Sequence, residues 1–222
     1  MTIAVIDYGS GNLRSVAKAF EHVVGEVAST ENVIVTADPR DVSKANRIVL
    51  PGVGAYADCM EGLHRIAGMV EALHESVIVK RRPFLGICVG MQLLATRGLE
   101  HGEHAGLDWI PGDVVRLQPR DAGLKIPHIG WNTIGVRSSK HSVIRALAEK
   151  VGGQGEDKPH AYFVHSYVFR PSDSQHILST TDYGGLFPAM VGRENLIGTQ
   201  FHPEKSQRVG LALIGAFLKW RP

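Results

Sequence analysis

Gly86-Ile87-Cys88-Val89-Gly90 has the form G-x-C-x-G and stands between the apolar run Pro83–Ile87 and a helical segment. Glycines flanking a nucleophile permit the sharp, strained strand-to-helix turn that lifts such a side chain clear of a sheet. A cysteine there sits at the C-terminal edge of a strand, where ligands of open α/β sheets bind. The start of the following helix is expected to favour thiolate over thiol, with the Val89 N–H facing an oxyanion formed on attack. A nucleophilic thiol needs a base, and the base needs an orienting group. Phe201-His202-Pro203-Glu204 offers both. In an extended segment His202 and Glu204 share a face, so Glu204 can hold one imidazole nitrogen while the other exchanges a proton with Cys88. Leu50-Pro51-Gly52-Val53-Gly54 can turn a backbone N–H toward a reacting carbonyl. Each piece alone has a plainer reading, as a packed cysteine, a surface turn or a Gly/Pro turn. Their conjunction points to thiol-based covalent catalysis. Cys59 lacks such a setting and reads as a packed helix residue.

The elements that must position these groups follow from apolar spacing. Thr2–Asp7, Asn32–Thr36, Arg47–Leu50 and Pro83–Ile87 read as buried strands. Leu13, Val16, Ala17 and Phe20 give a helix with one apolar face, Tyr56–Lys80 reads as helical with a break at Gly68, and Met91–Thr96 reads as helical. This alternation predicts an α/β fold with a mostly parallel central sheet flanked by helices. Asp113–Leu117, Ile129–Val136, Ala161–Phe169, Ile177–Thr181, Pro188–Val191 and Leu196–Phe201 are closely spaced strand candidates, expected as antiparallel additions. The last helix, Gln207–Trp220, follows Ser206 as its N-cap. The Gly-rich segment 152–157 reads as a surface loop rather than a boundary, so residues 1–222 are expected to form one domain.

Composition narrows the function. Twenty-four Lys and Arg against 22 Asp and Glu give a formal net charge of +2 over 222 residues. That balance disfavours a nucleic-acid or membrane-surface binder, which concentrates basic side chains. Two cysteines outside any C-x-x-C pair argue against a disulfide framework and fit a reducing cytoplasm. Met1–Gly9 carries no basic or long apolar segment of a signal peptide, and no run is long and apolar enough to span a membrane.

Gly86–Gln92 (GICVGMQ) and Phe201–Glu204 (FHPE) resemble the shared motifs of the class I, triad-type glutamine amidotransferases. Asp7–Asn12 (DYGSGN), Pro51–Ala55 (PGVGA), Pro127–Asn132 (PHIGWN), Tyr162–Tyr167 (YFVHSY) and His202–Ser206 (HPEKS) narrow the likeness to the members that supply ammonia for histidine biosynthesis. It runs from residue 3 to the C-terminal helix. The resemblance implies the class I amidotransferase fold and a Cys88–His202–Glu204 triad that hydrolyses glutamine to glutamate and ammonia through a thioester. It also implies an oxyanion hole of backbone N–H groups at Val89 with Gly52 or Val53, and substrate contacts at Gly54, Gln92, Ser166 and Tyr167. In such enzymes the ammonia passes to a separate (β/α)₈-barrel cyclase subunit, which makes imidazole glycerol phosphate and an aminoimidazole carboxamide ribotide. A barrel of that kind takes about 250 residues, so the cyclase must be a second chain, giving a heterodimer. Asn12, Trp131, Asn132, Tyr162 and Lys205 lie in the narrower motifs and are the interface candidates. The partner's substrate commonly switches on the glutaminase, and a peptide flip in Gly52-Val53-Gly54 is a physically sensible switch. Val89 replaces a common Leu, and Tyr56 and Cys59 stand where Phe and a small residue are usual; none of these touches the triad.

Competing readings are weaker. Gly9-Ser10-Gly11 lacks the third glycine of a dinucleotide-binding loop, position 14 being Arg. His101-Gly102-Glu103-His104 reads as a solvated loop rather than a metal site. No cofactor or metal is expected. A paralogous ammonia-using synthase would use the same chemistry, and a non-catalytic partner-binding module on the same fold would be free to lose Cys88, His202 or Glu204.

Overall fold

In the computed structural model, which describes residues 1–26, 30–136, 141–152 and 158–222, the β-branched runs become strands buried on both faces. The first half alternates β1 (Thr2–Ile6), α1 (Leu13–Glu26), β2 (Asn32–Thr36), α2 (Pro39–Lys44), β3 (Arg47–Gly52), α3 (Tyr56–Arg65) and α4 (Met69–His74). A π-helical turn (Glu75–Val79) leads to β4 (Phe84–Cys88) and α5 (Val89–Gln92). Two-residue strands β5 (Arg97–Gly98) and β6 (His104–Ala105) precede β7 (Gly112–Arg116), β8 (His128–Thr133), β9 (Gly135–Val136) and α6 (Ser142–Val151). The chain ends with β10 (His160–His165), β11 (Tyr167–Pro171), β12 (Ile177–Asp182), β13 (Leu186–Arg193), β14 (Leu196–Thr199) and α7 (Gln207–Lys219).

The main sheet runs β2-β1-β3-β4-β14-β13-β12-β9. Its first five strands are parallel and its last three pairings antiparallel, as the alternation followed by closely spaced strands predicts. β14 differs from expectation. It joins the parallel set beside β4, and that pairing carries the chain toward His202 at the same sheet edge as Cys88. α7 is apolar almost all round and is buried accordingly; its Phe217 meets Phe20 of α1 edge to face at 6.1 Å. Arg47 of β3, 2% exposed, pairs with Glu31 at 3.1 Å and donates to the Trp220 and Leu218 carbonyls, fastening the end of α7 to the sheet. No helix among the described residues is long and apolar enough to cross a membrane.

Two single apolar runs each serve two sheets, and one expected helix is cut short. Ile129–Val136 divides at Ile134, so that β8 pairs with β10 and β9 with β12. Ala161–Phe169 divides at Ser166; β10 joins β8, and β11 joins β7 in the separate sheet β11-β7-β5-β6. The helix expected over Met91–Thr96 is only the turn Val89–Gln92, because Thr96 must bond Gly112 to start that second sheet. α2 and α6 escape a reading based on strands, although Asp38 capping Arg40 N–H at 2.8 Å ahead of Pro39 is a recognisable start signal. Of the Gly-rich segment 152–157, residues 153–157 lie outside the described residues.

The contact between β3 and α5 leaves no room for a side chain: a Cβ on Gly90 would lie 1.9 Å from the Leu50 carbonyl oxygen. Gly90→Ala is therefore expected to lose about 3 kcal/mol or more of stability in urea unfolding. Gly25→Ala, with nothing within 4 Å of the added carbon near the end of α1, is expected to be neutral or stabilising by about 0.5–1 kcal/mol.

Candidate active site

β4 ends on Cys88, whose backbone lies at φ 55°, ψ −111°, a conformation rare for a residue with a side chain. The turn is held from both sides. Gly86 and Gly90 approach so closely that a Cβ on Gly86 would meet the Gly90 carbonyl oxygen at 2.5 Å. Register pairs Cys88 with Gly52 of β3. The sulfur is left at the floor of a cavity, 4% exposed. Because α5 is a single turn, the expected support from a long aligned helix dipole is largely missing, and the sulfur's immediate polar neighbours matter more.

The chain leaving β14 brings His202 to the same cavity. His202 and Glu204 are buried, with Nδ1 and Oε1 2.9 Å apart. The Ser206 hydroxyl donates to the His202 carbonyl at 2.7 Å and accepts from Tyr162 N–H at 3.0 Å. It fixes the turn beneath the imidazole instead of capping α7 as the sequence suggests. His202 N–H also donates to the Tyr162 carbonyl. Nε2 makes no hydrogen bond and is free on the side of the ring where Cys88 acts on it. Burial alone pulls the imidazole down, but Cys88 and Glu204 outweigh it and raise the pKa to about 9.

The cavity, about 270 Å³, is lined by Val53, Gly54, Cys88, Val89, Gln92, Ser166, Tyr167 and His202 among the residues singled out from sequence. Gly52 lies beneath it in β3 and Glu204 behind His202. Val53 N–H donates to Ser10 Oγ at 3.0 Å, and that hydroxyl donates back to the Val53 carbonyl at 2.5 Å. Tyr8 donates to the Pro51 carbonyl at 2.7 Å. As it stands, then, the Val53 amide is engaged away from the sulfur, and its use in an oxyanion hole requires the peptide to turn. Cys59 is packed in α3 as expected, and its thiol also meets Ser10 Oγ and the Val53 carbonyl, each at 3.4 Å.

Sequence reasoning missed three polar groups. Glu100 lines the cavity and accepts Tyr56 N–H at 2.7 Å; nothing in its loop marks it. His165 lines the cavity beside Ser166. Gln200 is fully buried, accepting from Gln92 Nε2 at 3.0 Å and donating to Cys88 Sγ at 3.8 Å. It is the residue that follows β14, which ends at Thr199 beside Ile87 of β4, so the pairing of those two strands is what brings it to Cys88.

The glutamine amidotransferase class-I family model matches residues 4–218. Curated proteins named imidazole glycerol phosphate synthase subunit HisH are 55% identical in Brucella suis biovar 1 and 53% identical in Rhodospirillum rubrum, each over 222 residues and the whole of both chains. A crystal structure of a glutamine amidotransferase superposes with a TM-score of 0.65 at 17% identity, covering 96% of this chain and 98% of the other. A second, from Thermotoga maritima, gives 0.60 at 18% identity, covering 94% and 78%. The chain belongs to the class-I glutamine amidotransferases, among the HisH subunits. The solved structures, at such low identity, speak to the fold, and they agree with the amidotransferase-like α/β architecture read from the motifs.

The remaining candidates of this amidotransferase lie outside the cavity. Trp131 is 48% exposed rather than packed in the core, and stands edge-on to Tyr162 at 5.9 Å. Lys205 Nζ lies 5.8 Å from the Tyr162 ring centre. Asn12, partly exposed, begins α1 by accepting Val16 N–H. Asn132 turns its amide inward, donating to the Asp182 carbonyl at 2.8 Å and meeting His128 Nε2 at 3.3 Å. His128 Nδ1 meets His165 Nε2 at 3.0 Å, and His165 Nδ1 donates to the Tyr167 carbonyl at 3.0 Å. With that last proton fixed by a carbonyl, both rings are satisfied as neutral imidazoles. Glu103, from the His-Gly-Glu-His loop, is paired with Arg97 at 2.9 Å.

Burial lowers His128 to about 4 and His165 to about 3. Unfolded, each protonates near 6.5, so below that pH the unfolded chain binds more protons and stability falls with acid. Between about pH 6 and 5 the fall is expected to approach about 1.4 kcal/mol per pH unit for each ring. His128→Gln should reduce the slope by about that amount in urea unfolding followed against pH.

Proposed function

We propose that the chain is the glutaminase subunit of imidazole glycerol phosphate synthase, in which Cys88, His202 and Glu204 hydrolyse glutamine and release ammonia to a cyclase subunit. The observation that carries this reading is a buried thiol and a carboxylate-held imidazole opening on one amino-acid-sized cavity. Cys88 Sγ attacks the side-chain amide carbon of glutamine, and the carbonyl electron pair moves to oxygen. Collapse expels the amide nitrogen, which leaves as ammonia with the proton from His202, and a γ-glutamyl thioester remains. His202 then deprotonates water, which attacks the thioester; the thiolate departs and glutamate is released. Glu204 holds the imidazole orientation and its charge throughout. Val89 N–H, with the Val53 or Gly52 amide once the peptide has turned, is the reading for the oxyanion donors. Gln92, Gly54 and the Ser166–Tyr167 backbone are the reading for the substrate's amino-acid end, and the Glu100 carboxylate suits its ammonium.

The curated relatives are named as subunits of a synthase, and the chain carries no barrel of its own. A (β/α)₈-barrel cyclase suits the remaining chemistry, because ammonia released to water would be protonated and lost as a nucleophile. Half-exposed Trp131, with Tyr162 and Lys205 beside it, has the character of an anchor for such a partner. Exposed Ile129, two residues from Trp131 on the same face of β8, extends the apolar surface.

Glutamate release should be weak for the chain alone and strong with cyclase plus its ribotide substrate, and Cys88→Ala should abolish it in every mixture. No release from any mixture, with the complex formed, would overturn the catalytic reading. Ser10→Ala removes the hydroxyl that engages Val53 and should raise release by the isolated chain about fivefold, the worth of roughly one hydrogen bond; an unchanged basal rate would remove Ser10 from the switch.

A further inference from the structure

We propose that Gln200 is a catalytic residue of this site, its side-chain amide N–H donating to the Cys88 sulfur and favouring the thiolate. The proposal rests on the reading of Cys88 as nucleophile. The donor's direction is forced by a chain of groups with one choice each. The Tyr167 carbonyl can only accept, so the Gln92 atom facing it at 3.1 Å is Nε2. That same Nε2 faces Gln200 at 3.0 Å, so the Gln200 atom there is the oxygen. The Gln200 NH₂ group is thereby turned to Cys88 Sγ, 3.8 Å away, a separation suited to the larger radius of sulfur. Gln200 cannot swing out, being fully buried, and its backbone N–H is tied to the Ala189 carbonyl at 2.9 Å.

A thiol is a weak acceptor and a thiolate a strong one, so this bond stabilises the charged form selectively. Its second effect falls on the leaving sulfur. When water attacks the thioester and the carbon–sulfur bond breaks, the electron pair returns to sulfur, and the amide N–H is already aimed at it. The titratable groups around the sulfur are His202 with Glu204 behind it, Glu100 and His165 in the cavity lining, and Tyr8 and Cys59, whose charges also act on it. None of them is altered by substituting Gln200.

The test is the rate of iodoacetamide alkylation of Cys88 in the full chain, read on the Cys88 peptide by mass spectrometry from about pH 6 to 10. Gln200→Met keeps the volume and removes the donor. Gln200→Glu keeps the shape and the acceptor for Gln92 but sets an ionisable carboxyl where the amide donor faced sulfur, so repulsion of the thiolate adds to the loss of the donor. For Gln200→Met the alkylation midpoint should rise by about one unit, with labelling at pH 7 about tenfold slower and converging on wild type at high pH. In the presence of cyclase and its substrate, kcat should fall about tenfold with KM for glutamine little changed. Gln200→Glu should shift the midpoint further. Midpoints unchanged in either folded variant would overturn the role of Gln200. If instead Cys88→Ala retained glutaminase activity and glutamine did not protect Cys88 from labelling, the underlying nucleophile reading would fall, whatever Gln200 does.

Discussion

The strained backbone at Cys88 is the constraint on which the site depends. A residue with a side chain at φ 55° costs on the order of 1–3 kcal/mol, and this one persists because its surroundings allow no alternative. Gly52 lies opposite it in register, Gly86 packs beneath the following turn, and Gly90 lies against the Leu50 carbonyl. Any Cβ at Gly86 or Gly90 would push β4 away from β3 or the turn away from both. Sulfur placement is therefore a property of the sheet itself. β14 is paired with β4 along the other edge, so the chain that follows it delivers Gln200 and His202 to a sulfur whose position is already fixed.

Charge is handled in two contrasting ways within a few residues. His202 is buried yet raised, because Glu204 and Cys88 supply the partners that make a buried imidazolium tolerable. His165 and His128 are equally buried but bond to a carbonyl and to each other, and burial holds them neutral. The distinction is set by the nearest acceptor. A carboxylate rewards the second ring proton, whereas a carbonyl is satisfied by one. One cavity thus contains an imidazole raised by a carboxylate and a thiol and another held neutral by burial, the two set apart by their nearest acceptors.

How much of this was legible in the sequence depends on how local the signal is. The elbow could be read because glycines two positions either side of Cys88 coincide with the end of an apolar strand and stand in one chain with the His202 and Gly52 segments. His202 and Glu204 pair in the sequence on the expectation of an extended segment; Pro203–Lys205 is instead a 3₁₀ turn, and that turn, not two-residue alternation, brings Glu204 Oε1 to His202 Nδ1. The parallel half of the sheet follows from runs buried on both faces. What escaped was non-local. That Ile129–Val136 and Ala161–Phe169 each divide between sheets depends on partners far along the chain, and an apolar run looks the same whether it stays in one sheet or leaves it. The shortness of α5 depends on Gly112, twenty residues away, receiving Thr96. Glu100 reaches the cavity from a loop whose residues carry no pattern at all.

The division of β8 from β9 has a consequence for how outer surface and inner site are joined. Side chains of a strand alternate, so β8 shows Ile129 and Trp131 to one side while His128 and Asn132 face the other. On the inner side, hydrogen bonds run from Asn132 through His128 and His165 to the Tyr167 carbonyl, which also receives Gln92. Gln92 in turn reaches Gln200 and the sulfur. An apolar outer face and the polar contacts of Cys88 are thus two sides of one short strand, separated by a chain of groups with little freedom to rotate. The break at Ile134, which no local pattern announces, leaves β8 paired with β10 alone and so sets an exposed tryptophan on the same strand as the buried His128.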